Sequence, residues 1–178
     1  MVTVTRRTNE TEVTVALGDG AKTEADTSLP FLDHMLVTLA RYSDLSLAVH
    51  ASGDLDHHIA EDVALTLAEA LKSVLPERAA RYGGAVVPMD DALVEAVLDV
   101  GGRPYYAGPL PDLTFDHFFR SLATAAGMTL HIDVRRGQDH HHVVECAVKA
   151  VGLALRQALR QGDAVFSTKG SVTWEVRP

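Results

Sequence analysis

Two short stretches of the chain, His57-His58-Ile59-Ala60-Glu61 and His141-His142-Val143-Val144-Glu145, carry the same pattern of paired imidazoles followed by a carboxylate. On a helix, residues four apart share a face, while adjacent residues diverge by about 100°. His57 with Glu61, and His141 with Glu145, are therefore spaced to grip one ion each. His58 and His142 are turned towards a second ion. Upstream of each pattern stands an Asp-His pair, Asp33-His34 and Asp116-His117. The donors His34, His57, His58, Glu61, His117, His141, His142 and Glu145 divide into about three imidazoles and one carboxylate per ion. Such a set leaves positions open on a six-coordinate metal, as a catalytic site requires. A lone His-His pair at a helix start is more often solvated or capping. Two copies in register, each with its own Asp-His, argue for metal. Imidazole with carboxylate suits Mn, Fe, Co, Ni or Zn, and affinity order does not single out Mn. His50 and His131 read as strand residues, and His140 as a loop or outer residue.

The elements that must hold these donors repeat as well. Ile59, Val63, Leu67, Leu71 and Leu75 fall every four residues along a helix predicted from His57 to Leu75. Shifted by 84 residues they become Val143, Ala147, Val151, Leu155 and Leu159, along a helix predicted over His141 to Gln161. Shorter helices are predicted over Phe31 to Arg41 and Phe115 to Ala126. Strands are predicted at Leu45 to Val49, Leu93 to Val100 and Met128 to Val134. Val13, Val15 and Leu17, followed by Gly18-Asp19-Gly20, predict a hairpin turning at those glycines. Asp56 or a neighbour is positioned to cap the first long helix. Repetition at a fixed period points to a duplicated architecture. The halves divide near Gly83-Gly84-Ala85, giving 1–84 and 85–178 of one compact unit. The fold class that follows is α+β, two small sheets with helices laid on them.

Bulk properties narrow the function. The chain has 178 residues, a net charge of −8, 47% hydrophobic residues and a single cysteine, Cys146. The acidity argues against a nucleic-acid partner. No apolar run reaches membrane length and no leader pattern is present, so no membrane partner and a cytoplasmic setting are expected.

The residues Phe31-Leu32-Asp33-His34-Met35, His57-His58-Ile59-Ala60-Glu61-Asp62, Gly102-Arg103-Pro104, His117-Phe118-Phe119, His141-His142-x-x-Glu145 and Ser167-Thr168-Lys169-Gly170 resemble the imidazoleglycerol-phosphate dehydratase family, in order and spacing, from about Arg7 to Gly170. That resemblance implies dehydration of imidazole glycerol phosphate to imidazole acetol phosphate in histidine biosynthesis. It implies two Mn2+ ions per active site and a duplicated fold similar to ribosomal protein S5 domain 2. It further implies a homo-oligomeric shell of 24 subunits with metal sites between them. The eight donors named above become the metal ligands. Substrate contacts fall on Arg81, Arg103, Lys149, Ser167, Thr168 and Lys169, and the carboxylates for the chemistry are Glu10, Glu61 and Glu145. Glu10 is the candidate for moving the carbon proton. Independently of the resemblance, cations near glycines suit a phosphate, and Lys149 lies two turns beyond His141 on its helix. Val172, Trp174 and Val176 alternate, so the last residues predict a strand or an interaction tail.

Two other classes fit parts of the same pattern. A dinuclear metal hydrolase on a phosphorylated small molecule would release phosphate. A metal-storing shell would use the His and Glu sites but not Arg81, Arg103 or the Ser-Thr-Lys-Gly segment.

Overall fold

The computed structural model describes residues 1–163 and Glu175. Two units of identical topology follow one another. The first comprises β1 (Val2–Arg7), β2 (Thr11–Leu17), β3 (Glu24–Asp26), α1 (Pro30–Ser43), β4 (Leu47–Gly53) and α2 (Asp56–Val74). The second comprises β5 (Tyr82–Met89), β6 (Ala92–Asp99), β7 (Tyr105–Ala107), α3 (Leu113–Ala126), β8 (Thr129–Arg136) and α4 (His140–Ala158). The sheets run β1-β2-β4-β3 and β5-β6-β8-β7, with only the short β3 and β7 parallel to their neighbours. The fold is α+β and duplicated, as the sequence pattern implies.

Alternation builds each sheet. Val13, Val15 and Leu17 point inward from β2, and Ala92, Val94, Ala96 and Leu98 from β6. The long helices cover those faces, α2 on β1 and β2, and α4 on β5 and β6. The short helices cross over: α1 packs along α4, and α3 along α2. The buried apolar residues of both units join in one cluster.

Several boundaries differ from the sequence reading for identifiable reasons. The first hairpin turns at Thr8–Glu10, not at Gly18–Gly20, because β1 precedes β2 and pairs with it from Val2↔Leu17 to Arg7↔Glu12. Thr8 Oγ1 accepts from the Glu10 and Thr11 amides at 3.1 and 2.9 Å and so holds that turn. β1 escapes detection because only Val2 and Val4 among its six residues are partly covered. The Gly83-Gly84 point lies inside β5, so by sheet membership the second unit begins at Tyr82. α2 starts at Asp56 after Leu55, without a side-chain cap; its buried Ile59, Val63, Leu67 and Leu71 supply the stabilisation. α4 begins one residue early, at His140, because Asp139 accepts from the His141 amide at 2.8 Å. The strand or tail expected at 171–178 lies outside the described residues.

Topology sets the placement of the chemistry. α1 follows β3, α2 follows β4, α3 follows β7 and α4 follows β8, and β3 and β7 run parallel to β4 and β8. All four helices therefore begin at the same end of their sheets, and each early turn carries a predicted metal ligand.

Gly83 sits where β5 presses on α4: a Cβ there would stand 1.9 Å from the Ala154 carbonyl oxygen, whereas at Gly84 the nearest atom is 3.5 Å away. Gly83→Ala is expected to cost about 1–3 kcal/mol or more, as overpacking against fixed backbone does, with Gly84→Ala nearly neutral. Chemical denaturation midpoints at unchanged m-value check this.

Candidate metal centre

The exchange of short helices decides which donors meet. His34, near the start of α1, has its Nε2 3.6 Å from Glu145 Oε2 on α4. His141 Nε2 approaches the same oxygen at 3.2 Å, from one turn away on α4. His117 of α3 faces Glu61 of α2 at 3.4 Å. Each upstream histidine thus joins the carboxylate of the other unit rather than its own. Phe31 seals the junction, edge-on to Phe115 (5.2 Å between centroids) and stacked on His141 (4.9 Å).

The residues before these histidines fix the helix entries. Asp33 accepts from the amide and hydroxyl of Thr27, at 2.8 and 2.6 Å. Asp116 accepts from the Leu110 amide, the Tyr106 hydroxyl and Arg120, at 2.9, 2.7 and 3.2 Å. Burial works to raise the Asp116 carboxyl pKa, but these donors and the Arg120 charge hold it below the usual range. Burial and the Asp116 carboxylate drive the Tyr106 phenol upward, so it stays a donor.

Glu145 is largely buried, with its side chain 12% exposed. Burial disfavours its charge, yet Lys149 Nζ at 2.9 Å, with His34 and His141, outweighs burial and keeps it a carboxylate. Lys149 also lies 5.8 Å from the Tyr42 ring centroid. Its side chain shares the Glu145 side of α4.

His58 and His142 point elsewhere. His58 Nδ1 pairs with Asp54 at 2.8 Å, with Glu10 3.7 Å away. His142 Nδ1 pairs with Asp91 at 2.7 Å. An imidazole whose Nδ1 is held by a carboxylate presents Nε2 in a fixed direction, which is how metal-binding histidines are commonly oriented. Asp54 and Asp91 escape the sequence reading. Asp54 is visible in principle, four residues before His58. Asp91 is 51 residues from His142 and reaches it only through the β5–β6 turn. The rings of His57 and His58 meet edge-on at 4.2 Å.

Among the described residues, no three His, Cys, Asp or Glu side chains converge on a point able to hold an ion. The candidate phosphate contacts also stand apart from the helix starts. Arg81 (φ 77°) precedes β5 and binds Asp99 through Nε and Nη2, at 2.7 and 3.0 Å. Arg103 lies exposed in the β6–β7 loop, its carbonyl accepting from Thr129. Both occupy the end of the second sheet opposite His141 and His142, across the eight residues of β5, a span of about 25 Å. Ser167, Thr168 and Lys169 lie outside the described residues.

A sequence model of the imidazoleglycerol-phosphate dehydratase family matches residues 27–155. The chain belongs to that family. An imidazoleglycerol-phosphate dehydratase of Phaffia rhodozyma is 44% identical over 94% of each chain. One from Pyrobaculum arsenaticum is 48% identical, over 93% of this chain and 97% of the other. A crystal structure of the Pyrococcus furiosus dehydratase, in complex with the compound (S)-C348, superposes with a TM-score of 0.87 at 39% identity, covering 94% of this chain and 99% of that one. The Staphylococcus aureus dehydratase superposes at 0.78 with 32% identity, over 91% of this chain and all of the other. The chain is thus an enzyme of the dehydratase family, and no helix among its described residues is long and apolar enough to cross a membrane.

The His142–Asp91 pair sets a pH dependence for the metal-free dehydratase. The Gln138 amide, then His142 and the Asp139 amide, pull the Asp91 carboxyl down to about 2. The Asp91 hydrogen bond, against burial and with help from Asp139 and Asp90, raises His142 above the ordinary 6.5 of imidazole. A raised histidine stabilises fully below its unfolded pKa and loses that contribution as pH rises through the folded value. A lowered carboxyl stabilises above 3.8 and loses it as pH falls towards about 2. The pair is therefore complete between about pH 3.8 and 6.5. Histidine NMR titration is expected to place His142 above 6.5, and Asp91→Asn to bring it back down.

Proposed function

We propose that this chain dehydrates imidazole glycerol phosphate to imidazole acetol phosphate, with two Mn2+ ions per active site, at sites assembled between copies of the chain. The observation that carries the reading is the pair of crossed contacts, His34 with Glu145 and His117 with Glu61, with His141 joining Glu145 from its own helix, beside two outward histidines oriented by Asp54 and Asp91.

The donor chemistry fits the metal. The Cys146 thiol is buried and donates to the Val87 carbonyl, which leaves imidazole nitrogens and carboxylate oxygens. That set accommodates Mn2+. Two pairs cross between the units, His34 with Glu145 at 3.6 Å and His117 with Glu61 at 3.4 Å, and His141 joins Glu145 from its own helix at 3.2 Å. His34, His141 and Glu145 would contribute to one ion and His57, His117 and Glu61 to the other, once association brings their donors to a common point. His58 and His142 would complete sites of neighbouring copies. The separation of Arg81 and Arg103 from the helix starts supports the same arrangement, since one phosphorylated substrate cannot reach both ends of one chain. A closed homo-oligomer, a 24-subunit shell by the family resemblance, would supply the missing donors.

Bound Mn2+ would supply Lewis acidity and a template for the substrate's imidazole and hydroxyl. The chain's own groups do the rest. Lys149 keeps Glu145 ionised. Asp54 and Asp91 fix the tautomers of His58 and His142. Glu10 takes the proton from the middle carbon of the glycerol chain, one removed from the ring, while the hydroxyl beside the ring leaves with a proton as water; the enol that remains takes a proton at the carbon beside the ring and becomes the ketone. Arg81, Arg103, Ser167, Thr168 and Lys169 hold the phosphate and align the carbon chain. A cytoplasmic setting suits a chain with one buried thiol.

Metal-stripped protein given imidazole glycerol phosphate is expected to form a product lighter by one water, phosphate retained, only when Mn2+ is added, as read by mass spectrometry. Glu61→Gln and His142→Ala are expected to lose metal and turnover together. Free phosphate would indicate a hydrolase, and bound metal without product a storage shell. Full activity of either variant in metal-free buffer would contradict the ligand assignment.

A further inference from the structure

Asp62 follows the metal-ligand pattern directly, and neither the ligand set nor the phosphate contacts use it. Its side chain is 10% exposed. Oδ1 accepts from Arg6 Nε at 2.9 Å, and Oδ2 accepts from the Thr11 hydroxyl. Arg6 and Thr11 lie on either side of the turn that carries Glu10.

The second unit supplies an internal control. Superposed by register, Arg6, Thr11 and Asp62 correspond to Val87, Ala92 and Cys146, all buried at 8%, 2% and 0% exposure. The same hairpin therefore folds onto the same helix without a charge. The polar triplet is not a requirement of the fold.

The two turn tips differ in a matching way. Glu10 corresponds to Asp91. The Asp91 carboxylate is fully engaged: it accepts from the Gln138 and Asp139 amides at 2.6 and 3.2 Å and pairs with His142. In the first unit these duties are divided. Asp54 orients His58. The Glu10 main chain anchors the turn, its carbonyl accepting from the Asp54 amide and its amide donating to Thr8, each at 3.1 Å. The Glu10 carboxylate is left 59% exposed and 3.7 Å from His58 Nδ1.

We propose that Arg6, Thr11 and Asp62 form a positioning triad that fixes the Thr8–Glu10 turn and so delivers the Glu10 carboxylate to the edge of His58. The proposal rests on the reading of Glu10 as the proton-carrying group. Asp62 ties that turn to the helix holding His57, His58 and Glu61, so proton carrier and ligands move as one body. Polar contacts serve here because a hydroxyl and a guanidinium on one carboxylate specify direction from both sides of the turn, whereas the counterpart side chains of Val87 and Ala92 are apolar and Cys146 reaches only the Val87 main chain.

The test uses the full-length, Mn2+-loaded enzyme. Thr11→Val keeps the shape and removes the hydroxyl; Thr11→Ser restores it. Thr11→Val is expected to lower kcat about a hundredfold, the size of loss that a 1 Å misplacement produces, with KM and metal content within twofold of the parent. Amide hydrogen exchange over residues 8–12 should accelerate at least tenfold, and Thr11→Ser should recover both readouts. A triple exchange to the second unit's residues, Arg6→Val with Thr11→Ala and Asp62→Cys, should fold, bind metal and show the same kcat loss. Parental kcat in Thr11→Val, equal losses in KM and metal content, or unchanged exchange would overturn the triad. Glu10→Gln, measured alongside, separates the two ideas. If it keeps full kcat, Glu10 is not the proton carrier and delivery for catalysis is overturned with it; accelerated exchange would then show only a tethered turn.

Discussion

The short helix of each unit rests on the long helix of the other, and the chemistry of the chain depends on that exchange. α1 along α4 and α3 along α2 place His34 against Glu145 and His117 against Glu61. Close approach makes it possible. A Cβ on Gly152 of α4 would stand 2.7 Å from Tyr42 Cβ and 3.2 Å from the Ser43 amide, so only a glycine lets the two backbones meet at this depth. At the other end of the crossing, Phe31 and Phe115 join the two units beside His141. The fusion is accordingly one core, and His34 and His117 each meet their carboxylate only across the junction of the two units.

Electrostatics then sort the donors. Where a carboxylate must stay ionised in a partly buried place, a cation stands next to it: Lys149 beside Glu145, Arg120 beside Asp116. Where an imidazole must aim outward, an aspartate holds its Nδ1. The inner pairs and the outer histidines diverge from one another, so the donors of one chain stand apart instead of closing on one point. The imidazoles stand at one end of the second sheet and the arginines at the other, which is why the proposed site calls for association of chains.

Much of this is legible in the sequence, for a physical reason. Apolar spacing of four along Ile59 to Leu71, and its copy 84 residues later, reports helix faces directly. The Asp-His and His-His-x-x-Glu patterns report local geometry, since residues three or four apart on a helix are neighbours. Long-range information is what the sequence conceals. Spacing pairs His57 with Glu61 and His141 with Glu145 but says nothing of His34 and His117, which helix exchange brings to the carboxylate of the other unit. Edge strands with little burial, such as β1, show no strong alternation. Asp62 has no partner in the sequence pattern until the fold brings Arg6 and Thr11 to it. Asp91 is anonymous until its turn meets His142.

The crossing is best tested where the ions themselves would be seen. Crystals of the Mn2+-loaded enzyme, with anomalous scattering measured at the manganese edge, would assign the ligands of each ion. The account predicts one ion bound by His34, His141 and Glu145 and another by His57, His117 and Glu61, each completed by an outward histidine of another copy. An ion held by His34 together with Glu61 of the same chain, or a full ligand set from one chain alone, would contradict it.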